Sequence, residues 1–226
     1  MREAYLFRLK FNTPYGVRVG GVREDINALT PLSVDGKYLI PASTWKGIFR
    51  RASEVLFATK EHFEGHRGEK VDLNVNVDLT AKGIESEEEK ARFVAMWNCP
   101  IERLYGSEYF AGAVTFSDTV MEPVVYERMR VSIDRRTRKA QEHHLFREQV
   151  VDVRSVTVRV IVRDMLREFV QTLRFLSEVG TFIGGGKSVG VGHAVLDWKE
   201  SEFAVARPGR ITFRPLSEVD SYIVQK

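Results

Sequence analysis

The sequence predicts an α+β fold in which an antiparallel four-stranded sheet carries two helices on one face. Three observations predict it. Segments in which apolar and polar residues alternate, the pattern of a half-buried strand, recur four times. Two longer segments repeat their apolar residues at helical spacing, and the order along the chain is strand, helix, strand, then strand, helix, strand. With 226 residues, 43% hydrophobic and 29% charged, the chain can bury a good core as one domain with insertions.

The first strand is EAYLFRLKF, Glu3 to Phe11, closed by the turn signal TPYG. Residues 16–38 read as a loop region punctuated by glycines and charges, with Asp35 at a tight turn in VDGKY. PASTWKGIFRRASEVLFA, Pro41 to Ala58, reads as the first helix. Ser43 or Thr44 is expected to cap it, and Trp45, Ile48, Phe49, Ala52, Val55 and Leu56 form its inward stripe. A polar insertion over 59–98 ends in a short acidic helix, ESEEEKARFVAMW. GAVTFSDTVME, Gly112 to Glu122, is strand-like, and VVDVRSVTVRVIV, Val150 to Val162, is a β-branched strand. DMLREFVQTLRFLSEVG, Asp164 to Gly180, supplies the second helix, with Asp164 as the expected N-cap and Gly180 at C′. The alternating VGVGHAVLDW supplies the last strand. This βαββαβ order is the ferredoxin-like or RRM-like arrangement, here as a single domain over 1–226. Internal repeats are absent.

Net charge is only +3, but its distribution is uneven. Between Arg128 and Arg147 stand seven Lys or Arg (128, 130, 135, 136, 138, 139 and 147) against the acids Asp134 and Glu142. In a long connection between two strands, this predicts polyanion contact through guanidinium groups, with Phe146 or the histidines His143 and His144 able to stack on bases. No strand carries the Phe/Tyr-rich surface on which RRM domains stack bases, so loops and insertions must do any RNA binding. Cys99 is the sole cysteine, which excludes an intramolecular disulfide, fits a reducing compartment, and argues against a zinc cluster. No apolar run has transmembrane length, and MREAYLFRLKF lacks a signal-peptide core, so the expected location is cytoplasmic with no membrane partner.

The stretch from Gly180 to Gly192 holds six glycines and a Gly-Lys-Ser triplet at 186–188. It is not a nucleotide-binding P-loop. Thr181 stands where the first glycine is required, and the loop follows a helix instead of preceding one, so a helix C-terminus would face the phosphate. The histidine pairs do not read as metal sites either. His62 and His66 have i, i+4 spacing, but Phe63 replaces the glutamate of a metalloprotease helix and Gly65 weakens the helix. Adjacent His143 and His144 diverge on any regular element. His193 reads as a local hydrogen-bonding group. Of the acids, Asp134 is expected to fix its own loop, and Asp25, near Arg18 and Arg23, could orient a 2′-hydroxyl or hold a divalent ion.

Four segments in order, LIPASTWKGIFR (39–50), IERLYGSEYFAGAVTFSD (101–118), VSIDRRTRKAQEHHLFREQVV (131–151) and TFIGGGKSVGVGHAVL (181–196), resemble the RAMP superfamily of CRISPR-associated proteins. Within it they are most similar to the repeated backbone subunit of type III effector complexes. That resemblance implies a partner set: crRNA as guide, complementary target RNA, and other effector subunits, including further backbone copies or paralogues. It implies a lid insertion over 59–100 and a thumb hairpin over 122–151 that presses across the guide. By motif position it implies RNA contacts at Ser43, Thr44, Lys46 and Arg50 at the start of the first helix. Arg135, Arg136 and Arg138 fall in the thumb, Gly184, Gly185, Gly186 and Lys187 in the glycine-rich loop, and Arg18 and Arg23 near the acidic loop. The glycines are expected to let backbone amides approach the RNA strand. Some members of this group cleave target RNA with Mg²⁺ or Mn²⁺ through a loop aspartate two residues before a proline. Leu29 stands there, before Pro31, so Asp25 is the catalytic candidate if the loop register has shifted. No stably bound cofactor and no structural metal are expected.

Overall fold

A computed structural model describes residues 4–20, 23–25, 28–29, 31–67, 83–84, 86–122, 124–206 and 211–224. The chain opens with β1 (Ala4–Asn12), then the short strands β2 (Arg23–Asp25), β3 (Ala28–Leu29), β4 (Ser33–Val34) and β5 (Lys37–Ile40). Helices α1 (Ala42–Phe57), α2 (Lys60–Phe63), α3 (Glu87–Asn98) and α4 (Pro100–Tyr105) follow. Next come β6 (Val114–Phe116), β7 (Thr119–Met121), the long pair β8 (Val125–Ile133) and β9 (Ala140–Val151), and β10 (Ser155–Val162). The chain continues through α5 (Leu166–Glu178), β11 (Thr181–Phe182), β12 (His193–Leu196), β13 (Glu202–Ala206), β14 (Arg214–Pro215) and α6 (Asp220–Val224).

The central sheet has the order β11-β12-β1-β10-β6, and every neighbouring pair is antiparallel. Alternation in sequence becomes a two-faced sheet because successive side chains point to opposite sides. On β1 the residues Tyr5, Phe7, Leu9 and Phe11 are buried; they lie opposite Val162, Val160, Val158 and Val156 of β10, all buried too. Both helices cover this face. Phe169 of α5 meets Phe7 at 5.2 Å between ring centroids, Trp45 of α1 meets Phe11 at 5.1 Å, and Phe49 of α1 stacks on Phe169 at 5.7 Å. The other face carries Arg8, Thr157 and Arg159 in solvent, the usual division of an antiparallel sheet covered on one side.

Three local expectations are corrected. Neither Ser43 nor Thr44 caps α1. Pro41, extended at φ −62° and ψ 148°, occupies the N-cap, and Asp118 from the β6–β7 turn accepts the Ala42 N–H at 2.7 Å. Asp164 lies one residue too early to cap α5; Met165, in the left-handed region, takes that place, while Asp164 accepts the Met165 N–H and pairs with Arg103. The inward stripe of α1 stops at Ser53. Val55 and Leu56 are 67% and 41% exposed, and the buried position beyond Ala52 is a hydroxyl. Ser53 Oγ lies 2.8 Å from both Tyr105 Oη and Thr172 Oγ1, so three polar groups satisfy one another inside the core. Burial pushes the Tyr105 hydroxyl pKa upward.

Within 16–38, a segment read as loop, the described residues include short paired strands. β4 and β5 form a hairpin whose turn residues Asp35 and Gly36 both have positive φ, as the VDGK sequence requires. β5 then pairs with β7. The C-terminal segment adds β13, which pairs with β1 alongside β12, so the edge of β1 is shared by two strands.

Candidate RNA interface

The first helix, the glycine-rich loop and the end of the second helix meet around a groove of about 470 Å³. Thr44, Gly47, Ile48 and Arg51 line it from α1, Phe175 and Leu176 from α5, and Gly184 and Lys187 from the loop. Of the residues singled out in the sequence, this brings together Thr44, Gly184 and Lys187. Ser43 and Lys46 are exposed on the same helix but do not line the groove. Arg51, exposed and groove-lining, was missed because the motif pointed at its neighbour. Arg50 turns away from the groove. Its guanidinium donates to Glu102 at 2.7 Å, to the Gly106 carbonyl at 3.3 Å and to Glu54 at 3.4 Å.

The loop glycines answer first to the protein itself. A Cβ on Gly184, at φ +76°, would collide with the Arg18 carbonyl oxygen, and one on Gly185 would fall 2.6 Å from Arg18 Nη2. The Gly185 N–H already donates to that carbonyl at 2.8 Å, so this amide is spent inside the fold and does not face a ligand. Arg18 itself is 13% exposed in its side chain and forms an ion pair with Glu148, whose side chain is 2% exposed. Arg130 approaches the same carboxylate at 3.4 Å. Arg18 therefore holds the glycine loop against the base of the β8–β9 hairpin.

That hairpin is the second half of the site. Its base is packed: Val150 and Val151 are buried, and Val17 bridges to Val151. Tyr126 Oη donates to the Tyr15 carbonyl at 3.2 Å, and Arg128 reaches the Val189 carbonyl at 3.5 Å. Beyond the base few of the described side chains are covered. Met129, Val131, Ile133 and Leu145 are exposed beside the arginines, an apolar component that the charge count concealed although ERMRVSI alternates visibly. At the tip, Arg135, Arg136 and Arg138 are exposed. Asp134 shapes that tip as expected: its Oδ1 accepts the Thr137 N–H at 2.7 Å, the Arg136 N–H at 2.9 Å and the Thr137 hydroxyl at 3.0 Å. The Thr137 amide above all holds the Asp134 carboxyl below the ordinary aspartate range.

Asp25 and Arg23 lie on β2, which pairs with β3, and β3 runs parallel to β9 at Ala28↔Arg147. Backbone pairing thus sets the acidic segment on the edge of the hairpin sheet; the side chains of Asp25 and Arg23 lie outside the described residues. Among the described residues no helix is long and apolar enough to cross a membrane.

Together these features define an α+β scaffold with a groove edged by Arg51 and Lys187 and a basic hairpin anchored beside it. The RAMP superfamily model matches residues 8–195, a span that holds every element of groove and hairpin, and the chain belongs to that superfamily. Its members are generally CRISPR-associated RNA-binding proteins that work in complexes with RNA and other subunits. No curated protein matches the chain at significant similarity.

Proposed function

We propose that this protein is the guide-binding backbone subunit of a type III CRISPR effector complex in the cytoplasm, holding crRNA through its phosphates without reading sequence. The observation that carries the reading is the convergence of Thr44, Arg51, Gly184 and Lys187 on one groove, next to a hairpin whose exposed tip holds three arginines. Backbone phosphates are shared by every guide, and cations on a rigid scaffold meet them without base contacts. The strand order β12-β1-β10-β6 with two helices on one face supports a ferredoxin-like, RRM-like core in a single domain. Residues 122–151 are the thumb in this reading and 59–100 the lid. The exposed apolar side chains of the hairpin suit contact with displaced bases or a neighbouring subunit.

Photo-crosslinking of the chain to single-stranded RNA, followed by peptide mapping, tests this. Crosslinks are expected in 43–51, 126–147 and 184–189; crosslinks confined to the opposite sheet face, around Arg8 and Arg159, would contradict it. A second reading, target cleavage through Asp25 with Mg²⁺ or Mn²⁺, draws on the pairing of β2 with the hairpin sheet through β3. Assembled complex carrying Asp25→Ala, given complementary RNA and either ion, should then lose regularly spaced products. Identical products from wild type and variant remove Asp25 from the reaction.

A further inference from the structure

Further along the glycine-rich loop lies a second pocket of about 470 Å³, which shares no residue with the groove. It opens between three segments: the turn after β1 with Tyr15, the base of the hairpin with Tyr126 and Arg128, and the loop with Val189 and Gly190. Arg154, just past the hairpin, closes one side. Two tyrosines and two arginines share this pocket with a single acid, Asp152, so its charge is net positive.

The turn after β1 is fixed through its backbone and leaves its tyrosine outside. Thr13 is buried; its N–H donates to the Arg154 carbonyl at 2.8 Å and its hydroxyl to the Val153 carbonyl at 2.6 Å. Gly16, at φ +66°, sits so close to the hairpin that a Cβ would stand 2.6 Å from the Val151 carbonyl oxygen. Arg154 Nη1 donates to the Pro14 carbonyl at 2.8 Å, and Tyr126 Oη holds the Tyr15 carbonyl. These bonds immobilise the main chain of 13–16, yet Tyr15 is 61% exposed. Burial therefore does not account for the ring. A tyrosine on a fixed backbone has only two torsions left to order, so it offers contact area at little entropic cost. The same bonds aim the arginines: Arg154 is held at the Pro14 carbonyl and Arg128 at the Val189 carbonyl.

We propose that this pocket takes one unstacked nucleobase of single-stranded RNA, its ring against Tyr15 and the adjoining phosphate toward Arg128 and Arg154; the inference rests on the phosphate-binding reading above and adds a base contact to it. Aromatic rings beside fixed cations suit single-stranded RNA, whose bases expose a π-face once they leave their neighbours. The pocket continues the groove. Lys187 lines the groove while Val189 and Gly190 line the pocket, at the two ends of one short 3-10 turn. That turn rises about 2 Å per residue, so one short oligonucleotide reaches both. A Cβ on Gly190 would meet nothing within 4 Å, so the loop side of the pocket is open to a ligand. Every base has a π-face, and the contact therefore does not select sequence.

The test uses the full chain and two probes, oligouridine and a ribose-phosphate oligomer of the same length without bases. The wild type should bind oligouridine more tightly, and both affinities should fall steeply with salt. Tyr15→Ala keeps every main-chain bond of the turn. It should weaken oligouridine binding about 5- to 150-fold and leave the base-free oligomer and the salt slope unchanged. Tyr15→Trp should restore the loss. Equal affinity of wild type and Tyr15→Ala for oligouridine would overturn the pocket, and is the result expected if a neighbouring subunit fills it; an equal loss for both probes would overturn it too. Steep salt dependence alongside either result leaves the phosphate reading standing. Conversely, a base-free oligomer that fails to bind, while oligouridine binds through Tyr15, upholds the pocket and sinks the phosphate reading. Failure of both probes to bind overturns the two together.

Discussion

Two regions of this molecule are built from strands of similar length and opposite purpose. In β1 and β10 every second residue is buried under α1 and α5, and the register places buried opposite buried. In β8 and β9 the ladder runs from Val125↔Val151 to Ile133↔Ala140 with one register shift, yet among the described side chains burial is confined to the base and most of the others are exposed. The sheet is held by what it buries. The hairpin is held at its root, by Val17, Val150 and Val151 and by the Arg18–Glu148 pair, leaving its outer half free to contact something else. A hydrogen-bonded pair that buries so little is weakly stable alone, so the anchoring residues set where the basic tip points.

The largest expected effect belongs to the core. Phe49→Ala removes a ring that touches Phe11, Phe116 and Phe169 and should cost about 3–5 kcal/mol in urea unfolding. A loss below about 1 kcal/mol would mean the helix layer is not what stabilises the sheet. Glu148→Ala sharpens the comparison at the joint. It leaves the Arg18 guanidinium buried without its carboxylate and should cost about 3 kcal/mol. Amide exchange should accelerate along β8 and β9 while β1 and β10 stay protected; equal acceleration in both sheets would dissolve the distinction drawn here.

The smallest effect is at the tip. The Asp134 carboxyl has a folded pKa below its unfolded value of about 3.9, so its contribution is present above that pH and lost as pH falls through the folded value. Protection of the Arg136 and Thr137 amides should therefore fade only in acid below about pH 4. Fading near neutrality would exclude Asp134 as the organiser of the turn.

How much of this the sequence disclosed follows the same division. Alternation and helical spacing exposed the sheet and both main helices, because burial on one face imposes a period. Gly180 and Asp35 were readable since their turns demand particular backbone angles. Where chain-distant partners decide, the sequence was silent. Asp118 caps a helix that begins 76 residues earlier, and Glu148 captures Arg18 across the fold, so a residue read as an RNA contact is placed in a buried ion pair. Arg50 and Arg51 are adjacent, and only the helix rotation says which faces the groove. β13 was passed over although EFAVA is plainly apolar, since its pairing partner lies at the opposite end of the chain.

The central claim is that groove and hairpin grip RNA by its phosphates. Its most direct test is the affinity for two single-stranded RNAs of unrelated sequence, measured across a range of salt. The account predicts equal affinities and a steep salt slope. Replacing Arg135, Arg136 and Arg138 together with alanine should flatten that slope by about 0.7 per lost contact, with stability changed by no more than about 0.5 kcal/mol. A strong preference for one sequence, or a slope unchanged in the triple variant, would contradict it.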